Sequence, residues 1–304
     1  MASDMVTFAR VEDERQTAYL DYLMLVMTQL ARLKISLEAF TGNDYIVSVV
    51  EFINSGNVQL KVRALDLVGK LSEDNEYRKL LSSKDVFSQL TKLINRLIRT
   101  PNKDLRVIAA CLRGLMFFTR DKPNIIILVN LQGQAGLFAM LCDSLNGKNY
   151  EEAIGNEADF MQTRVSAGLI INNILVVGGV DGISGVFLKL GALDGLAAVI
   201  TDKRAKGVQL IAHKLTTEFA NHITNAVDKY EVIVAPLVFS LHNDKVVSNN
   251  LLALDAIQRF LVYERLQHLF IEAGLVGNLC TIISENVSIP DNIQLVIQAI
   301  SSLL

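Results

Sequence analysis

Four histidines, His213, His222, His242 and His268, are the side chains best suited to proton transfer or metal ligation near neutral pH. None stands at a ligand spacing from a carboxylate or a cysteine, so neither a zinc site nor an acid–base pair is expected. Serine, histidine and aspartate are all present, but no GxSxG motif fixes a nucleophile. The glycine run VVGGVDGISG, from Val176 to Gly185, superficially suggests a phosphate-cradling loop. It follows a helical pattern rather than a strand and lacks a Gly-Lys-Ser/Thr ending. It therefore reads as an inter-repeat turn that needs φ > 0. Cys111, Cys142 and Cys280 are odd in number and widely spaced, which argues against a disulfide framework. Their places in apolar helical runs predict buried free thiols in a reducing compartment. No enzyme and no cofactor is expected.

The elements that would position any site must come from an unusually apolar chain. Of its 304 residues, 51% are hydrophobic, none is Trp and only four are Pro, while the net charge is −3. That charge offers no general attraction to nucleic acid or to anionic lipid. The N-terminal sequence MASDMVTFARVEDERQ is charged and has no apolar core of the signal-peptide kind. The longest apolar runs, such as LIINNILVVGGV, are too short and too broken to cross a bilayer. The expected location is the cytosol, with the nucleus as the alternative.

Periodicity gives the architecture. In Val247–Leu304 the helix with Ala253, Ala256, Ile257 and Phe260 is matched 43 positions later by Val296, Ala299, Ile300 and Leu303. The same offsets recur at Leu23-Val26-Met27-Leu30, Ala64-Leu67-Val68-Leu71, Ile108-Cys111-Leu112-Leu115, Ala167-Ile170-Ile171-Ile174 and Val208-Ile211-Ala212-Leu215. Such offsets set four side chains on one helical face, and small residues among them allow a neighbouring helix to approach. A helix recurring at such intervals is one unit of an α-solenoid. A second apolar helix precedes each pattern helix, as in DVFSQLTKLINRLIR and GLVGNLCTIISENV. Polar turns such as Ser55-Gly56-Asn57, Thr100-Pro101-Asn102-Lys103 and His242-Asn243-Asp244 separate the two. Each repeat thus has two antiparallel helices, often with a short leading helix at their corner.

The phrases LKLGALDGLAAVI and FIEAGLVGNLCTIIS resemble the glycine-marked turn into the second helix of armadillo repeats. The helices ending in GKLS, INNIL and ISSLL resemble that family's third helix. The resemblance covers roughly Tyr19 to Leu304. It implies an all-α fold, a right-handed α-solenoid of about six to seven armadillo-like repeats in one domain, residues 1–304. It also implies a protein-binding role, since the family includes import receptors, adhesion adaptors, formin regulatory domains, GTPase exchange factors and chaperone cofactors.

In that family the third helices line a concave face, where a recurrent Asn pins a peptide backbone and a recurrent Trp packs lysine stems. The matching Asn column here is Gln29, Lys70, Gly114, Asn173, Lys214, Arg259 and Ser302, so only Asn173 agrees. The Trp column, Leu25, Asp66, Ala110, Leu169, Leu210, Asp255 and Gln298, holds no Trp. A nuclear-import type of receptor for basic peptides is therefore not expected. The offsets instead predict an apolar floor of Val107, Ala110, Leu169, Leu210 and Leu252, with Lys70, Lys214 and Arg259 as separated cations along it. A groove of that kind suits an acidic amphipathic helix or an extended segment, from a partner protein or the same polypeptide. The competing expectation is that the leucines pack on adjacent helices and the cations are only solvated. The resemblance adds a small GTPase as a second candidate partner, and a regulatory domain or a chaperone cofactor as alternative roles. Self-association stays open, while nucleic acid and membrane insertion are not expected.

Two further features stand out. The step from Ile108-Cys111-Leu112-Leu115 to Ala167-Ile170-Ile171-Ile174 is 59 residues and contains NGKNYEEAIGNEADF, residues 146–160, about fifteen residues beyond the repeat and rich in acid. It is expected to be a solvated loop or an acidic flap. Residues 1–18 read as a leader. At Ser301–Leu304 no polar terminal unit is present, which leads to the expectation that the natural protein continues, with docking of this end on something else as the alternative.

Overall fold

The computed structural model describes residues 14–32, 45–100, 104–130, 134–147, 155–178, 182–223, 227–243, 247–285 and 290–302. Among these residues the chain is all α-helical and has no strand. Seven pattern helices are present: α1 (Glu14–Arg32), α3 (Val58–Ser72), α6 (Leu105–Phe118), α9 (Glu157–Val176), α12 (Lys206–Asn221), α14 (Val247–Phe260) and α17 (Pro290–Ser301). Six second helices alternate with them: α2 (Tyr45–Ile53), α5 (Val86–Arg99), α8 (Gln134–Asn146), α11 (Ala192–Thr201), α13 (Glu231–Asn243) and α16 (Leu275–Glu285). Short leading helices complete the repeats: α4 (Asn75–Ser83), α7 (Lys122–Asn130), α10 (Ile183–Lys189) and α15 (Glu264–Glu272), with a 3-10 turn at Val227–Tyr230.

The chain packs as two compact units, one of residues 1–140 and 149–166, the other of residues 141–148 and 167–304. In the first, third helices α1, α3 and α6 lie side by side, backed by second helices α2 and α5. In the second, α12, α14 and α17 form the third-helix layer, and α11, α13 and α16 the layer behind. The pattern positions are the reason. Ala64, Leu67, Val68 and Leu71 of α3 are all buried, as are Ala253, Ala256, Ile257 and Phe260 of α14. Small residues set the spacing between helices. A Cβ at Gly168 of α9 would lie 2.9 Å from Ile211 Cγ2 of α12, and one at Gly195 of α11 would lie 3.2 Å from Asn146 N of α8. One helix departs from the expected register. In α1 the buried residues are Leu20, Leu23, Met24 and Thr28, so its inward face begins three residues earlier than the sequence pattern placed it.

Helix starts are fixed locally. Asn57 accepts from the N–H groups of Gln59 (2.9 Å) and Leu60 (3.2 Å), and Asp74 from those of Glu76 (2.8 Å) and Tyr77 (3.3 Å). The turn into the second helix uses a left-handed residue: Gly191 before α11 (φ 79°), Gly274 before α16 (φ 89°) and Asp85 before α5 (φ 62°). The glycine-marked turn read from the sequence is thus a conformational requirement, met once by an aspartate. Gly182, in the glycine run, takes φ 76° at the start of α10.

Polar side chains bridge repeats on top of this core. Arg78 of α4 is buried and grips Asp121 with two bonds, Nε–Oδ2 at 2.7 Å and Nη2–Oδ1 at 3.1 Å. Its Nη1 also donates to the Ser72 carbonyl at 2.9 Å. A buried guanidinium held by a carboxylate and a carbonyl is costly to strip of one partner. The Tyr230 hydroxyl donates to the Phe219 carbonyl at 3.1 Å, while its ring packs on Phe260 with centroids 5.6 Å apart.

Several sequence expectations meet particular outcomes here. Glu157 and Asp159 stand in the first turn of helix α9 rather than in a loop. Asn156 Oδ1 accepts from Asp159 N (3.0 Å) and Asp159 Oδ2 from Asn156 N (3.2 Å), a reciprocal cap that starts the helix. Residues 148–154, with Glu151 and Glu152, lie outside the described residues, as do residues 1–13, Pro101–Lys103, Asp244, Leu303 and Leu304. Cys111 and Cys142 are buried as expected, but Cys280 is exposed on the outer face of α16. Burial pushes both buried thiols up, Cys142 to about 12 with Asp143 adding to the shift.

Two measurements follow from these features. In native protein near pH 8 a thiol reagent should modify Cys280 alone, with Cys111 and Cys142 reacting only after denaturation; three fast thiols would contradict this burial. Gly274→Ala puts a Cβ on a left-handed backbone with open space around it, and should lower stability by about 1 kcal/mol in urea unfolding. Asp85→Gly should shift the midpoint the other way.

Candidate partner-binding face

The nine residues expected to line a groove divide between the two units. Lys70 of α3, with Val107 and Ala110 of α6, stands in the first. Leu169 and Asn173 of α9, Leu210 and Lys214 of α12, and Leu252 and Arg259 of α14 stand in the second.

In the first unit the expectation needs correction. Val107 is 3% and Ala110 2% exposed, so neither can form the floor of an open groove. The cause is α6 itself, in which every residue from Leu105 to Phe118 except Arg106 and Arg113 is buried. Helices α3 and α5 pack against it. On the side of Leu105 the chain entering α9 comes so close that a Cβ on Gly155 would lie 2.6 Å from Leu105 Cβ. A helix with apolar residues all round has no open face to offer. Lys70 is half-buried and paired with Glu73 one turn on.

What crosses the third helices of this unit is a set of ion pairs. Arg63 Nε of α3 meets Asp21 Oδ1 of α1 at 2.8 Å, and Arg113 Nη1 of α6 meets Asp66 Oδ1 of α3 at 2.7 Å. The residues of each pair are 42 and 47 positions apart, close to one repeat. That signal was present in the sequence as opposite charges one period apart.

The second unit keeps more of the predicted arrangement. Leu210 is 37% exposed, and Leu169 and Leu252 are half-buried on the flanking helices α9 and α12's other neighbour, α14. Gly168 against Ile211 sets α9 on α12, and α12 packs along α14. Lys214 is exposed and makes no ion pair among the described residues. Arg259 does not stand as a bare cation. Its guanidinium contacts Asp255 (Nη2–Oδ1 3.2 Å, Nε–Oδ2 3.3 Å) and donates through Nη1 to Asn221 Oδ1 of α12 at 2.5 Å. Asn173 is half-buried near the end of α9, and its carbonyl accepts from Val177 N at 2.8 Å. Leu169, Leu210 and Leu252 thus stand at matching positions on three successive third helices, which also carry Asn173, Lys214 and the bridged Arg259.

Nothing among the described residues groups three or more His, Cys, Asp or Glu in a way that could hold a metal ion. No single helix among them is long and apolar enough to cross a membrane. His213 is buried in α12, where its carbonyl accepts from Thr217 Oγ1 at 3.2 Å.

The helical fold is similar to that of known structures. A computationally designed armadillo repeat protein for modular peptide recognition aligns with TM-score 0.62 and 21% identity, over 84% of this chain and 99% of its own. The fold is that of armadillo-repeat proteins. An engineered protein aligns with TM-score 0.72 and 15% identity, over 99% of this chain and 68% of its own. A structure from work on the phosphorylation switch between cadherin and β-catenin aligns with TM-score 0.54 and 13% identity, over 99% of this chain and 60% of that one. No protein-family model matches the sequence, and no curated protein matches it significantly. At such identities the likeness to armadillo proteins concerns the fold alone.

The division between a closed α6 and an open α12 is measurable by stability. Val107→Ala should cost about 2 kcal/mol by emptying packed space. Leu210→Ala should stay within about 0.5 kcal/mol, as exposed positions do. Equal losses at the two sites in urea unfolding would contradict the assignment of faces.

Proposed function

We propose that the chain is a non-enzymatic protein-binding scaffold. Its working face is the third-helix layer of the second unit, which takes a helical or extended segment of a partner protein. Leu210 carries this reading: an exposed leucine one turn from Lys214, a lysine without an ion pair among the described residues, in the middle of a leucine row. An apolar strip with a cation beside it fits a segment with apolar anchors at helical spacing and an acidic edge. The Arg259–Asp255 pair on α14 can orient such a segment by hydrogen bonds, as rim polar groups do at interfaces. Structural neighbours support the same general role, one designed for peptide recognition and one from work on cadherin and β-catenin.

The test compares Leu210→Asp/Lys214→Glu with Val232→Asp/Lys229→Glu, an equal change of charge and polarity at exposed sites around the start of α13. Circular dichroism first confirms that both variants fold. In affinity capture from lysate, with proteins identified by mass spectrometry, the first variant should lose partners that the intact chain and the second variant retain. Identical recovery by all three proteins would defeat the reading.

A further inference from the structure

A second surface, on the other helical layer of the first unit, carries charge that the chain does not neutralise. Residues 61–122 hold fourteen Lys and Arg against seven Asp and Glu, a local +7 in a chain of net −3. The remainder of the chain therefore carries −10. Seven arginines among the described residues are matched to carboxylates, while Arg120 stands over the Phe117 ring, 4.7 Å from its centroid. Arg63, Arg78, Arg106, Arg113, Arg204, Arg259 and Arg265 each have an Asp or Glu partner.

Helix α5 breaks this habit. Lys92, Arg96 and Arg99 fall at offsets of four and three, which puts them on one face, and all three are exposed. Arg96 is held by an amide instead of an acid: its Nη2 donates to Asn54 Oδ1 of α2 at 2.7 Å. Asn54 is itself fixed, with Nδ2 donating to the Val50 carbonyl at 3.2 Å and to Gln89 Oε1 at 3.4 Å. Gln89 in turn donates to Asp85 Oδ2 at 3.3 Å. The guanidinium is thus positioned by neutral groups and keeps its full charge. Arg99 has no carboxylate partner among the described residues.

Lys61, at the first turn of α3, adds to the crowding. Its ammonium is pushed down from the usual lysine range, first by burial and then by the nearby Arg96 charge, with Asp104 acting in the opposite sense. The acids at the margin are Asp104, paired with Arg106 at 2.7 Å, and Asp85, 4.0 Å from Lys92. Like charges gathered from α3 and α5, with Arg96 held by an amide in place of an acid, destabilise the folded protein slightly. An anionic ligand relieves that cost. Planar guanidinium groups suit carboxylates, which they can engage with two bonds at once.

We infer that Arg96, positioned by the Asn54 amide, forms with Arg99, Lys92 and Lys61 a docking surface for a short acidic segment of a partner protein. This surface is separate from the leucine row of the second unit. The charge balance selects among polyanions. A nucleic acid strand or an anionic membrane extends over several screening lengths of about 8 Å, beyond the four cations, and the rest of the chain has a net charge of −10 that does not favour it. A segment of a few Glu or Asp residues meets only the patch.

The experiment uses the full chain and a fluorescein-labelled octaglutamate peptide, followed by fluorescence anisotropy at low salt. Arg96→Gln/Arg99→Gln should weaken binding by about tenfold, from two exposed charge pairs. Lys189→Gln/Lys206→Gln, exposed and with the same change of charge, should change it by less than about twofold. Asn54→Asp supplies the missing carboxylate to Arg96 and should weaken binding several-fold with both arginines in place. Leu210→Asp/Lys214→Glu should leave this binding intact, so the two sites can fail independently. The inference is overturned if the control pair loses as much as the patch pair, or if Asn54→Asp has no effect. It is equally overturned if an eight-nucleotide single strand or phosphatidylserine vesicles displace the peptide and depend more strongly on Arg96 and Arg99.

Discussion

Each repeat of this protein presents more apolar surface than it can cover alone. Helix α6 shows the constraint most fully, with twelve of its fourteen residues buried and only Arg106 and Arg113 reaching water to any extent. Such burial requires neighbours on several sides, and α3, α5 and the chain leading into α9 supply them. The free energy of folding is therefore shared between repeats, because a helix stripped of its neighbours would expose the surface that drives it to fold. Close approach at Gly168 and Gly195 belongs to the same requirement, since a side chain there would hold adjacent helices apart.

Polar contacts are laid over this apolar frame where it meets water, and their character differs between places. Arg78 and Asp121 form a largely buried, doubly bonded pair that ties one repeat to the next. Arg63 with Asp21, and Arg113 with Asp66, sit half-exposed on the third helices and contribute less each, as solvent screens them. They leave those third helices crossed by paired charges, whereas exposed Lys214 beside Leu210 makes no ion pair among the described residues.

Much of this was legible in the sequence. The seven pattern helices lie where the offsets placed them, because burial on one face imposes the 3.6-residue period whatever the neighbours are. Gly191 and Gly274 announced left-handed corners, since few other residues accept that backbone. Exposure was harder to read. Placing Val107 and Ala110 on an open face assumed that every third helix has one, although LRVIAACLRGLMFF lacks the polar stripe that an open face requires. The first-turn acids Glu157 and Asp159 resembled loop residues until the Asn156 cap showed where α9 begins. Cys280 lies in an apolar run, yet its own helix turns it outward. In α1 two apolar registers three residues apart compete, and only packing decides between them.

The bridges between repeats carry one more implication. Asn54 to Arg96, Arg78 to Asp121, Tyr263 to the Ile223 carbonyl and Asn278 to the Val238 carbonyl all span 40 to 43 residues. Arg63 to Asp21 and Arg113 to Asp66 span 42 and 47 residues in the same way, and share the arginine–aspartate chemistry of Arg78 and Asp121. Where these bridges stand, a polar side chain reaches about one repeat along the chain, so the two repeats are tied by bonds as well as by apolar cover. Cutting out a repeat at such a place would leave one half of a bridge without its mate.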